Sequence, residues 1–198
     1  MWTYFLPAIR QAQRWVNQGE IGELLHVKAE FGYPVPYSPE GREYDIELAG
    51  GCLYDMGIYP VAFNRLFHPQ RAQTQHVRLH KAPNGADDDV IWQLHYDQSV
   101  ASLHTSFRAK LPNSAILIGT RGTIEIPDFF RASCCRLYEH DEPKLTFNDH
   151  RQGSGFEFEI DHACECIRRG ERQSDIVTWE HSRQFQQDIN RIFNDSLG

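Results

Sequence analysis

The stretch "DDDVIWQLHYDQSVASLHTSFR", Asp87 to Arg108, changes character every second residue on both sides of the four-residue turn signal YDQS. Val90, Trp92, Leu94 and Tyr96 share one side of the first segment, and Ile91, Gln93 and His95 the other. After the turn, Ala101, Leu103, Thr105 and Phe107 stand against Val100, Ser102, His104 and Ser106. A period of two with a short turn between its halves predicts two adjacent antiparallel strands.

Outward from this pair the same pattern repeats. "AQTQHVRLHK" precedes it, and "SAILIG", "GTIEIP", "SCCRLYEH" and "KLTF" follow, separated by "PNGAD", "LPN" and "GTRG". Residues 71 to 147 therefore read as an antiparallel meander. Before them, "MWTYFLPAIRQAQRWVNQG" predicts a helix. Pro7 suits its first turn, Ala8, Ile9, Ala12, Trp15 and Val16 form a helical stripe, and Gly19 suits the residue past its end. Gly22 to Tyr33 alternates as a strand, whereas Pro34 to Glu47 carries too much proline and glycine for regular structure. Val61 to Phe67 is helical. Two helices close the chain, one with the stripe Phe156, Ile160, Ala163, Cys164 and Ile167, the other with Phe185, Ile189, Ile192 and Phe193. The fold class is α+β: a predominantly antiparallel open sheet with helices packed on one face. Four helices cover one side of such a sheet and leave the other free. The open face is expected to carry one of the alternating sets around Trp92, Leu103 and Phe107, and to join two copies of the chain in a homodimer or higher oligomer.

At 198 residues the chain fits a single domain that buries roughly 70% of its unfolded surface. A net charge of −7 without any long Lys/Arg cluster speaks against nucleic acid as a partner. No apolar run approaches the roughly 20 residues of a membrane span, and the first ten residues lack the order of a signal peptide, so a cytoplasmic location is expected. Five cysteines with no C-x-x-C predict reduced thiols. His76 and His80, four residues apart on a strand, lie about 13 Å from each other, so no metal site is expected.

The chemistry concentrates in "ELAGGCLYDMGIYP", Glu47 to Pro60. If helical, the run after Gly50 and Gly51 places Asp55 and Tyr59 on one face, about 6 Å apart at Cβ. On residue type alone, Asp55 reads equally as a surface carboxylate favoured by a helix N-terminus, and Tyr59 as a core phenol.

"GREYDIELAGGCLYDMGIYPVAF", Gly41 to Phe63, resembles the second signature of the Gfo/Idh/MocA family of NAD(P)-dependent oxidoreductases, in which three glycines open a helix carrying an Asp and, four residues on, usually a His. Here Ala49 replaces the first glycine and Tyr59 the histidine, a form similar to the dihydrodiol dehydrogenase-like branch. "MWTYFLPAI", "GEIGELLHVKAEFGY", "AILIGTRGTIEIPDFF" and "GFEFEIDHACECIRRG" extend the resemblance along nearly the whole chain.

The resemblance implies catalytic roles for Asp55 and Tyr59, with Asp55 accepting a bond from a substrate hydroxyl and Tyr59 donating or orienting. It implies aromatic pocket walls from Trp2, Phe31 and Phe130. Arg42, in the loop just before the glycines, reads either as a substrate-binding group for an anion or as a solvated loop arginine. The family's other half is a Rossmann domain with G-x-G-x-x-G and a Glu-Lys-Pro motif. Neither motif occurs here; Gly153 and Gly155 come nearest, and Phe158 stands where the third glycine is needed. Residues 1–198 are accordingly expected to be a single substrate-binding and oligomerisation domain of a longer enzyme that acts on a hydroxyl-bearing small molecule. NAD or NADP would serve that parent, with none bound by this chain alone. The alternatives are a stand-alone, non-catalytic binding or dimerisation module that has lost the nucleotide domain, and an unrelated α+β enzyme working without NAD(P).

Overall fold

The computed structural model describes residues 1–195, and in it β1 (Leu24–Gly32) lies at the centre of one eight-stranded sheet. The others are β2 (Thr74–Lys81), β3 (Asp87–His95), β4 (Val100–Ser106), β5 (Ala115–Gly119), β6 (Gly122–Ile126), β7 (Cys134–Glu139) and β8 (Glu142–Asn148). Their order is β2-β3-β4-β1-β5-β6-β7-β8. All pairs are antiparallel except β1 with β4, which run parallel with Phe31 opposite Thr105.

The single meander expected from residues 71 to 147 is thus two meanders with β1 inserted between them. The cause lies in the connection after β4, which folds across the end of β1. Tyr33 N–H donates to Ser106 O, Leu111 N–H to Gly32 O, and Gly32 N–H to the Asn113 side-chain oxygen at 3.0 Å. Asn113 takes a left-handed backbone there, φ +59°, which asparagine tolerates. β5 then lands on the far edge of β1 rather than beside β4.

Three of the four helices cover one face. α1 (Pro7–Asn17) buries Ala8, Ile9, Ala12 and Trp15 over β6 to β8, and Gly19 beyond its end adopts φ +73° as its position requires. α2 (Ile58–Phe67) lies over β1 and β4. α4 (Trp179–Asp195) packs against α2 and β2, joined to α2 by Arg65 Nε and Nη2 on the two oxygens of Asp188 at 2.5 and 2.7 Å. Beneath them Trp92, Leu103, Phe107, Leu117 and Ile124 are buried. The open face therefore does not carry the Trp92, Leu103 and Phe107 set. It presents Lys28, Glu30, Ile91, Gln93, Ser102, His104 and Ile116, a mixed surface. The alternating sets are as the sequence implied; the bulkier one faces the helices because only that side offers apolar partners.

α3 (Phe156–Arg168) departs from expectation. It packs on the short turn Trp2–Phe5 rather than on the sheet, and it turns Cys166 inward with His162 against Phe5. The predicted core stripe faces outward, with Phe156, Ile160 and Ile167 being 46%, 57% and 75% exposed and Ala163 and Cys164 exposed too. The period of a stripe identifies residues that share a face, and the described residues leave most of that face exposed.

Candidate active site

Gly50 and Gly51 lead into a π turn, Leu53–Gly57, which runs directly into α2. The predicted single helix is therefore two geometries in series. π turns are uncommon and recur at functional sites because the extra residue per turn redirects side chains. Asp55 sits in the wide turn and Tyr59 in the first turn of α2, so the two look to different partners.

Tyr59 belongs to an aromatic cluster built from four elements. Its hydroxyl oxygen accepts the indole N–H of Trp2 at 3.1 Å. Its ring meets Phe31 edge-on at 5.2 Å between centroids, and Phe31 stacks on Phe130 at 4.2 Å with 22° between planes. Such geometries suit the ring quadrupoles and hold the phenol in one place. The placements are local consequences of the fold. Phe31 is the penultimate residue of β1; Phe130 rides a turn, Phe129–Arg131, tied down by Thr3 Oγ1 donating to the Phe130 carbonyl at 3.1 Å; and Trp2 packs against Phe156, tilted, at 4.3 Å between ring centroids. Trp2 and Phe31 are buried, whereas Tyr59 and Phe130 are half-buried and give the cluster a reachable edge.

Asp55 is held by Arg42, whose Nη1 and Nη2 both lie 3.1 Å from one carboxylate oxygen. Arg42 thus stands on the candidate acid/base group itself, not apart from it as a receptor for an anion. With the arginine side chain 71% exposed and the carboxylate 30%, the pair contributes about 1 kcal/mol at most to stability, and its effect is to orient the Asp55 carboxylate. The loop presenting Arg42 is anchored: Tyr44 is buried against Phe107, its hydroxyl donates to Val35 O at 3.1 Å, and Asn84 donates to Tyr44 O at 2.7 Å.

The predicted residues thus form two groups, Trp2 with Phe31, Tyr59 and Phe130, and Arg42 with Asp55, connected through the chain between 55 and 59. A phenol donor at the edge of an aromatic wall and a carboxylate acceptor four residues before it supply the two kinds of polar group that a hydroxyl-bearing ligand needs. Sequence reasoning missed the floor under them. Asp87 accepts the Leu53 N–H at 2.7 Å and the Cys52 thiol at 3.3 Å, and Thr105 Oγ1 donates to Phe31 O at 3.0 Å and contacts Cys52 O at 3.3 Å. Burial pushes both the Cys52 thiol and the Asp87 carboxyl above their ordinary ranges. The available signal was three consecutive aspartates opening an otherwise apolar strand.

Residues 9–125 match the family model described as the GFO/IDH/MocA C-terminal domain. The chain belongs to the Gfo/Idh/MocA family. Among curated Gfo/Idh/MocA relatives, the trans-1,2-dihydrobenzene-1,2-diol dehydrogenase of Homo sapiens is 32% identical over 192 residues, covering 92% of this chain and 56% of its own length. That of Xenopus laevis is 28% identical over 185 residues, covering 89% of this chain and 56% of its own length. The chain therefore spans little more than half the length of these relatives. Of solved structures, the aldose-aldose oxidoreductase from Caulobacter crescentus complexed with glycerol superposes with a TM-score of 0.86 at 20% identity, over 99% of this chain and 60% of that one. At these identities the superposition shows the family's C-terminal fold, an α+β open sheet. Among the described residues no helix is long and apolar enough to cross a membrane, and no group of three or more His, Cys, Asp or Glu could hold a metal ion.

Proposed function

We propose that this chain is the substrate-binding and oligomerisation domain of an NAD(P)-dependent oxidoreductase acting on a hydroxyl-bearing small molecule such as a sugar, polyol or dihydrodiol. The observation that carries it is Tyr59, fixed by Trp2 and walled by Phe31 and Phe130, four residues beyond an Asp55 whose carboxylate Arg42 orients. In this role Tyr59 donates to the substrate oxygen, Asp55 accepts from a neighbouring hydroxyl, and the aromatic faces cover the carbon skeleton.

The glycine turns at Gly51 and Gly155 do not fit a dinucleotide. The space beside Gly51 is filled by the Asp87 carboxylate, and Gly155, at the start of α3, packs against Trp2 and Leu6. A pyrophosphate has no open cradle at either place. The nucleotide-binding part therefore lies in a further domain, as the relatives' greater length supports. The outward stripe of α3, beside a groove of ≈ 500 Å³ lined by Met1, Phe5, Ile160, Ile167 and Val177, is the seat we assign to it. The mixed sheet face opposite the helices is the surface left for a second copy.

The test is steady-state kinetics of the full-length protein. Asp55→Asn and Tyr59→Phe are each expected to lower kcat/KM by at least ~10-fold, about 1.4 kcal/mol of transition-state stabilisation, with melting temperature nearly unchanged. Near-normal kinetics in both variants would make the pair structural.

A further inference from the structure

Asp87 is 3% exposed, a carboxylate beneath the glycine turn and out of reach of the candidate site's mouth. We propose that it is a positioning residue of that site, fixing the start of the π turn on which Asp55 rides and from which Tyr59 follows. The proposal rests on the reading of Asp55 and Tyr59 as the substrate-contacting pair.

The grip extends over three consecutive residues. Leu53 N–H has no partner within its own turn, and it donates to Asp87 Oδ2 at 2.7 Å, with the Cys52 thiol on the same oxygen at 3.3 Å. Gly51 adopts φ +120°, and a Cβ placed there would stand 2.1 Å from Asp87 Oδ1. That carboxylate sits on a short side chain at the start of β3, where the backbone pairs with Lys81, so it has none of the reach of a lysine tip. The second glycine of the motif and the aspartate are thus one device: the missing side chain at 51 admits the carboxylate that holds 52 and 53. Asp55 N–H then closes onto Gly51 O at 3.2 Å, passing the constraint to the candidate site.

A plain cap needs one acceptor, whereas here Oδ2 takes both the Leu53 N–H and the Cys52 thiol and Oδ1 occupies the space that Gly51 leaves open. Nor do its neighbours share the task. Asp88 pairs with His80 at 2.5 Å, and Asp89 bonds Ser106 at 2.7 Å and His104 at 3.2 Å. Of the three successive aspartates, Asp87 is the one that reaches the glycine turn.

The indole N–H of Trp2 reports on this placement directly, because it donates to Tyr59. In ¹⁵N-labelled protein, Asp87→Asn, which keeps the side chain's volume, is expected to shift or broaden the Trp2 indole resonance while those of Trp15 and Trp179 stay in place. Asp89→Asn is expected to leave Trp2 unmoved. A Trp2 resonance unchanged in folded Asp87→Asn overturns the proposal. Should that variant not fold, exchange of the Leu53 amide in the wild type decides. Protection equal to that of the central strands supports the grip, and rapid exchange overturns it. In the full-length protein, Asp87→Asn is expected to lower kcat by ~10-fold or more with KM within about twofold. A wild-type protein without oxidoreductase turnover sinks the functional reading alone, and the Trp2 resonance still decides the positioning.

Discussion

The hydroxyl oxygen of Tyr59 accepts the indole N–H of Trp2 at 3.1 Å across 57 residues of sequence, and the bond leaves the phenol proton free to point at a ligand. An oxygen that already accepts is a better donor, since linked hydrogen bonds polarise one another. Trp2→Phe keeps an aromatic plate and removes the donor. Kinetics of the full-length protein are expected to show a loss in kcat/KM of about fivefold, corresponding to ~1 kcal/mol for one hydrogen bond. An unchanged value would mean that Tyr59 needs no help from Trp2.

Stability is expected to fall on acidification because of His68. It is 2% exposed, stacked on Tyr96, and bonded through Nδ1 to Asn64 and through Nε2 to Ser99. Burial lowers its pKa from 6.5 to about 4. Between those values the unfolded chain binds a proton that the folded one refuses, so the contribution is complete above pH ~6.5 and is lost as pH falls toward 4. Its full size is up to about 3 kcal/mol. Asp87 acts in the opposite sense, since a carboxyl raised by burial favours the folded state on acidification. Thermal melts from pH 7 to pH 5 should therefore slope less steeply in His68→Gln than in the wild type, and equal slopes would remove the histidine from the account.

The chain alone is expected to bind NADH or NADPH only weakly. The turns at Gly51 and Gly155 are filled from within by Asp87 and by Trp2 with Leu6. Isothermal titration giving low-micromolar affinity would overturn this.

Two copies are expected to associate through the sheet face that the helices leave uncovered. Its mixed character suits an interface that forms between folded subunits, with Ile91, 45% exposed, among the residues it presents. Light scattering at micromolar concentration should give about twice the 23.0 kDa chain mass, falling to the single value in Ile91→Asp. A wild-type mass of one chain refutes the association.

Much of this architecture was legible in residue order. Pro7 and Gly19 bracket α1 as their backbone preferences demand, and the alternation from Val90 to Phe107 gives two strands and the membership of both faces. Less was legible where the decision lies between elements distant in sequence. The insertion of β1 depends on the 107–114 connection crossing its end, which strand periodicity does not encode. The π turn depends on a carboxylate 34 residues away holding Leu53. The outward stripe of α3 has the same period as an inward one, and only its surroundings separate the two. Within the candidate site, Trp2, Phe31, Tyr59 and Phe130 were singled out in the sequence and lie together, whereas the contact of Arg42 with Asp55 and the floor made by Asp87 and Thr105 were not legible there.

The central position of β1 also sets an order of assembly. Phe31 is joined to Thr105 across 74 residues, so during synthesis β1 leaves the ribosome long before its parallel neighbour exists. Contacts of such separation must pay loop closure before any ladder rewards it, and parallel pairing forms late. The chain therefore spends its synthesis with an unpaired apolar strand, the kind of segment that chaperones bind. The Phe31 wall is among the last features of the molecule to exist.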